Sequence, residues 1–154
     1  MSLHPTLRAA LAVGVAFAAA CGGDQPPPQA ETSAAAPAAS ALPSVSILEP
    51  QDGATVDGDS ITVRLSASGV RIVPAGDTTA GTGHHHLYLD TDLGEPGVAV
   101  PVVPGRVIHM GTGVSEYTFT DVPPGPHRLI AVVADGMHVP LQPWVTDTIT
   151  FTVR

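Results

Sequence analysis

The sequence predicts an all-β domain over residues 43–154, and we interpret it as an immunoglobulin-like antiparallel β-sandwich of about seven strands. Apolar and polar residues alternate with a period of two over several short stretches, which is the pattern of strands with one buried face. Turns rich in Pro, Gly and Asp separate these stretches. Because no stretch of this region has the apolar spacing of a helix, two packed sheets are the architecture that buries the apolar faces.

The strands follow from this alternation in chain order. They are VSIL from Val45, SITVRLSAS, HHHLYL, GRVIHM, VSEYTFT, HRLIAVVA and DTITFTV. In SITVRLSAS, Ile61 and Val63 share one face, and Thr62 lies on the other. The same reasoning predicts one inter-sheet core that contains Ile61, Val63, Leu65, Leu87, Leu89, Phe119, Leu129, Ile149 and Phe151. The single cysteine precedes the domain, so packing alone must stabilise the two sheets.

Residues 1–20 have the features of a secretory signal peptide, with an early arginine, an apolar run and small residues before Cys21. This arrangement is typical of a bacterial lipoprotein, in which the cysteine is lipidated. Residues 21–42 are rich in Pro, Ala and Ser and lack apolar periodicity, which predicts a disordered tether after Cys21. We therefore expect a cell-envelope protein anchored to a membrane by its lipid, with Gly22 favouring the outer membrane. Ordinary signal cleavage with an unmodified cysteine is the alternative.

Charge and motif content exclude several function classes. The chain has no lysine, and six arginines stand against fourteen acidic residues, giving a formal net charge of -8. Nucleic acid is not an expected partner, since phosphate neutralisation needs a basic surface. No enzyme activity is predicted, because a triad of Ser115, Asp90 and a histidine has no nucleophile elbow to select it. A blue-copper centre is not predicted, because it needs a cysteine ligand inside the domain and Cys21 lies before it.

The stretch GTGHHHLYLD carries the strongest chemical signal. Its leucines must face the core, so strand alternation places His85 on the core side and directs His84 and His86 to the opposite face. Side chains two apart on a strand lie about 7 Å apart on one face, so two imidazoles can close on one ion. One or two further ligands are needed. His109 or His138 can supply them if GRVIHM neighbours HHHLYL in the sheet.

The set His84, His86, His109 and His138 therefore predicts a Cu or Zn site, with Cu(II) favoured because the donors are nitrogen. Imidazole must be neutral to coordinate, so metal binding is expected to weaken as the pH falls through about 6.5, the ordinary His pKa. A buried hydrogen-bond network that rigidifies the sandwich accounts for the same four residues without an ion.

The other two histidines of the domain have structural interpretations. His85, directed inward, is expected to be satisfied by backbone groups at the edge of the core. His127 stands at the turn into HRLIAVVA, where a side chain can bond to the backbone at a sandwich corner as a corner tyrosine does.

The segments GVRIVPAGDTTAGTGHHHLYLD and IHMGTGVSEYTFTDVPPGPHRLIAVVADGMHVP resemble the bacterial family of exported proteins catalogued as domain of unknown function 4399. The resemblance covers nearly all of residues 45–154 and implies an exported β-domain, often lipid-anchored, with no assigned activity. Many members have a second histidine where this chain has Leu141, and a basic residue in place of Thr112. We predict a metal-binding envelope lipoprotein; the alternative is a non-enzymatic structural or interaction module with an unidentified protein partner.

Overall fold

The computed structural model describes residues 41–154, and these residues form an all-β domain without a helix. The strands are β1 (Ser44–Glu49), β2 (Ala54–Val56), β3 (Ile61–Ser68), β4 (Arg71–Ile72), β5 (Thr82–Leu89), β6 (Val107–Met110), β7 (Glu116–Phe119), β8 (Gly125–Ala134) and β9 (Thr146–Val153). All seven predicted strands are present, and β2 and β4 are additional. Within the described range, no helix is long and apolar enough to cross a membrane.

The strands form two sheets. The smaller sheet has the order β1-β3-β7 and is antiparallel. The larger sheet has the order β2-β9-β8-β5-β4, and β6 also pairs with β5. β8 follows one edge of β5 from His84 to Leu89, so β4 and β6 pair with successive parts of its other edge.

The larger sheet is mixed, because β2 pairs in parallel with β9 and β4 pairs in parallel with β5. This corrects the expectation of a purely antiparallel sandwich of about seven strands. An all-β fold is what the structure shows, and nine strands in this order do not confirm an immunoglobulin-like topology.

One hydrophobic core contains every residue that the alternation predicted for it. Val63, Leu87 and Leu129 are completely buried, and Ile61 is 1% exposed. Residues of both sheets contribute to this core, so each sheet hides an apolar face against the other. Removing a side chain of this size from water stabilises a fold by about 1.5 to 3 kcal/mol, so this core supplies the main stabilisation of a domain without a disulfide.

β5 is buried along its whole length, on both faces. Leu87 and Leu89 pack in the core, whereas Tyr88 packs with Ile130 and Val132 of β8 in a second cluster on the opposite face. Partly buried side chains that cover this second cluster are Leu93, Val100, Val107 and Trp144. The predicted alternation is correct. The face opposite the core is also covered, by side chains from the β5–β6 connection, from β6 and from the segment between β8 and β9.

The predicted signal peptide, Cys21 and most of the tether lie outside the described residues. Lipidation and the envelope location therefore stay predictions. The absence of enzyme activity and of a nucleic-acid partner also stays a prediction. The described domain begins just before β1, where Leu42 is 85% exposed.

Candidate metal centre

Two imidazoles of the candidate site come from β5. His84 and His86 lie two residues apart on the face opposite the core, and they are 0% and 1% exposed. Their neighbours on β8 are Ala134 and Val132, which are small enough to leave room for rings above the sheet. A Cβ at Gly83 would lie 2.7 Å from the carbonyl oxygen of Ala134, so glycine is needed for β5 and β8 to approach here.

The third imidazole comes from β6. The antiparallel register of β5 and β6 places His109 opposite His86, which is the pairing that the sequence required for His109 to join the site. The His109 side chain is exposed, and its ring occupies the place that a Cβ at Gly111 would fill. The sequence analysis did not assign Gly111 to the site. The signal for it was its position two residues after His109, where only glycine leaves room for the ring.

The turn after β8 presents the fourth imidazole, that of His138. Asp135 closes this turn, since its Oδ1 accepts hydrogen bonds from the backbone N–H groups of Met137 at 2.8 Å and Val139 at 2.9 Å. His138 has a φ of 67°, in the left-handed region that residues other than glycine rarely adopt. Its carbonyl oxygen accepts a hydrogen bond of 2.9 Å from Val100, which ties the turn to the β5–β6 connection.

The four rings meet at one place. Their centroids are separated by 4.7 to 5.8 Å in all six pairs. The Nε2 atoms of His84 and His86 are 3.0 Å apart, and those of His109 and His138 are 3.2 Å apart. Ligand nitrogens of His84, His109 and His138 all lie within 4.8 Å of one another. The sequence predicted one or two further ligands for the β5 pair, and the structure groups His84 with both His109 and His138 and places His86 alongside.

These separations fit a first-row transition metal. Zn–N distances of about 2.0 to 2.1 Å in a tetrahedral site place neighbouring nitrogens about 3.3 Å apart. The two Nε2 pairs, at 3.0 and 3.2 Å, are already close to that value. The three grouped residues are all histidines. A donor set of imidazole nitrogens suits Cu(II) and Zn(II) rather than Ca²⁺ or Mg²⁺, which prefer oxygen.

The buried rings are neutral at physiological pH. Burial, with contributions from the neighbouring histidines, lowers the pKa of His84 to about 4 and that of His86 to about 3. Burial and the proximity of His138 also lower the pKa of His109. The expectation that metal binding weakens as the pH falls through about 6.5 stays a prediction, and the lowered pKa values place proton competition for the two β5 rings below that pH.

The cluster leaves polar atoms without protein partners. The Nδ1 atoms of His84 and His86 are buried and have no hydrogen-bond partner among the described residues. Leaving a buried donor or acceptor unpaired costs about 1 to 3 kcal/mol, and such groups are uncommon in folded proteins. The same holds for Nδ1 of His85, which lies outside the cluster, so an unpaired Nδ1 is common to all three histidines of β5.

A cavity of about 150 Å³ adjoins the cluster. Its lining residues are His86, His109, His138, Val100, Pro101, Val102 and Val107. Three imidazoles therefore form one wall, and apolar side chains form the others. His84 is not a lining residue, so it lies behind the other rings when the site is viewed from the cavity.

The two remaining described histidines lie outside the cluster. His127 makes the predicted backbone contact, with Nε2 2.8 Å from the carbonyl oxygen of Pro123, and its Nδ1 also contacts Asp90 Oδ2 at 2.8 Å. His85 is fully buried on the core side as predicted, and burial lowers its pKa to about 4. Its contact is Ser115 Oγ at 3.4 Å rather than a backbone group, which corrects that expectation.

Known proteins were compared with this chain. The family model described as a domain of unknown function (DUF4399) matches residues 63–154, a range that contains all four rings. A search of curated proteins found no match.

Two solved structures are similar at low identity. The endo-β-1,4-mannanase from Thermotoga petrophila is 17% identical with a TM-score of 0.43, over 73% of this chain and 20% of that one. An engineered protein from the Northeast Structural Genomics Consortium is 16% identical with a TM-score of 0.43, over 75% of this chain and 21% of that one. The chain thus spans about a fifth of either structure.

Proposed function

This chain belongs to the DUF4399 family, and from that premise we propose that it binds a divalent transition metal, Cu(II) or Zn(II), through His84, His109 and His138. The observation that carries the proposal is the approach of three ligand nitrogens to within 4.8 Å of one another from separate segments of the chain. His86 lies beside them, with its Nε2 3.0 Å from that of His84. Nitrogen donors bind Cu(II) more tightly than Zn(II), so affinity alone favours copper.

The electrostatics of the site support this function. Burial keeps the pKa of His84 far below 7, so this ligand need not release a proton before it coordinates. The other two ligands give access, because His109 is exposed and His138 is half-buried. A hydrated ion can therefore reach the site from the solvent side without separation of β5 from β8.

A structural hydrogen-bond network is the second candidate, and the two short Nε2 contacts favour it. In such a network one neutral imidazole of each pair donates and the other accepts. The grouping of three ligand nitrogens within 4.8 Å favours metal binding over this network, because two separate hydrogen-bonded pairs do not require it.

Calorimetric titration of the purified protein with Cu(II) and Zn(II) near pH 7.5, with elemental analysis of the product, separates the two candidates. We expect one ion per chain. The double variant His109→Ala/His138→Ala removes two ligands on the exposed side, where little packing is lost, and should bind no ion at this site. His127→Gln is the matched control, because it removes a histidine and keeps all four rings.

Circular dichroism would establish that both variants are folded. Equal uptake of metal by the wild type and the double variant contradicts the proposal. Absence of uptake by the wild type would leave the structural network as the function of these rings.

A further inference from the structure

We propose that the ion held by His84, His109 and His138 keeps an open coordination position toward the adjoining cavity, and that this position takes a small hydrogen-bond-accepting anion. The inference rests on the proposed metal binding. Three protein ligands with one open position allow an outside ligand to bind and exchange, whereas four protein ligands close a metal site.

The placement of the rings indicates where the open position lies. His109 and His138 line the cavity, whereas His84 does not, so the cavity meets the cluster on the side away from His84. The cavity has a volume of about 150 Å³. This space accommodates a small ligand beside the rings, and it opens to solvent at Val102, which is 92% exposed.

The contact between His86 and His84 indicates what kind of ligand fits. Their Nε2 atoms are 3.0 Å apart, so each is the other's hydrogen-bond partner. When His84 Nε2 gives its lone pair to an ion, it can neither donate to His86 nor accept from it. His86 is 1% exposed and its Nδ1 already has no partner, so the loss would leave the whole ring unpaired.

A ligand in the cavity can restore that hydrogen bond. His86 lines the cavity, and its neutral ring can carry a proton on Nε2 and donate it to a metal-bound anion. The side chains of Val100, Pro101, Val102 and Val107 offer no competing donor or acceptor. We therefore assign His86 as a positioning residue for the bound anion rather than as a fourth metal ligand.

Azide is a suitable probe, because it is a small anion whose binding to Cu(II) is visible by charge-transfer absorption and by electron paramagnetic resonance. We expect a saturable spectral change when the Cu(II)-loaded full chain is titrated with azide. Val100→Phe should fill the cavity and weaken azide binding at least about tenfold with unchanged copper content. Val102→Trp is a second filling variant at a position that is 92% exposed and tolerates a larger side chain.

Val114→Phe is the matched control, because Val114 is an exposed valine outside the cavity lining. His86→Leu should also weaken azide binding at least about tenfold, through loss of one hydrogen bond to a charged group. A lower copper content in His86→Leu would show that His86 is a metal ligand and would overturn this assignment.

The outcomes separate this inference from the proposed function. Copper uptake by the wild type without any response to azide overturns the open position alone. An azide response that is equal in the wild type and in both filling variants overturns its location in the cavity. No copper uptake by the wild type overturns both proposals.

Discussion

Two groups of histidines in this domain are bonded in opposite ways. Both nitrogens of His127 meet acceptors of the protein, the carboxylate of Asp90 and the carbonyl of Pro123. In the cluster, Nε2 of His84 meets only another ring, that of His86, and Nδ1 of each has no partner. Burial does not separate the two groups, since His127 is 7% exposed and His84 is 0% exposed. The difference teaches that His127 is held by acceptors of the protein, whereas the rings of the cluster contact one another, which is the arrangement that the proposed metal binding requires.

The largest expected effect is the loss of stability of the metal-free protein in acid. The unfolded chain takes up protons on its histidines below pH 6.5, whereas native His84 and His86 do so only near 4 and 3. The unfolded state therefore binds more protons, and the free energy of unfolding falls as the pH drops from 6.5 toward 4. The contribution of these two histidines to the free energy of unfolding is fully present above pH 6.5. Denaturant titrations at pH 7.5 and pH 5 would measure the loss.

The variant His86→Leu sharpens this test, because it removes one of the rings with a lowered pKa. Its free energy of unfolding should fall less between pH 7.5 and pH 5 than that of the wild type. Carboxylates titrate mainly below this window, so they do not obscure the comparison. An equal fall in the free energy of unfolding for the two proteins would show that His86 does not resist protonation.

An intermediate effect is expected when a member of each group is removed from the metal-free protein. His127→Ala deletes the contacts to Asp90 and Pro123 at a buried position and should cost about 2 to 4 kcal/mol. His109→Ala removes an exposed ring and should change the free energy of unfolding by about 0.5 kcal/mol or less. Denaturant unfolding of both variants checks this order, and a larger loss for His109→Ala would make the cluster the structural element.

The mildest structural change, which is expected to alter metal affinity rather than stability, is Gly111→Ala. The ring of His109 lies where the new methyl group must go, so the ring is displaced while every ligand is kept. We expect metal affinity to fall by about tenfold, or about 1.4 kcal/mol, with the fold intact. Titration calorimetry beside Gly94→Ala, where a methyl group meets no atom within 4 Å, measures it. Unchanged affinity would mean that the observed ring position of His109 is not the one that binds metal.

The strands and the core could be predicted because alternation is a local signal. Each predicted strand shows the period of two over several residues, and the leucines after His86 fix which side of β5 faces the core. β2 and β4 have three and two residues, too few for a period of two to be recognised. The parallel pairing of β2 with β9 also depends on contacts distant in sequence, which no local pattern encodes.

The site could be predicted only conditionally. His109 required the β5–β6 register, and His138 required a turn that Asp135 closes around a left-handed residue. Part of the cover over the outer face of β5, Leu93 and Val100, comes from residues 91–106, which have no periodic pattern. Leu141, at the position where the family resemblance implies a histidine, is partly buried against the core.

The pairing of β2 with β9 also bears on how fast the domain forms. It joins segments near the two ends of the described domain, and topologies that depend on such distant pairings fold in milliseconds to seconds. The rings come from β5, β6 and the turn after β8, so they converge only once β5 has met both of those strands. During that interval His109 and His138 are not yet held beside the histidines of β5, so an ion that binds as proposed would not find its complete ligand set. A metal supplied after folding is therefore expected to give a more uniform product than one present during refolding.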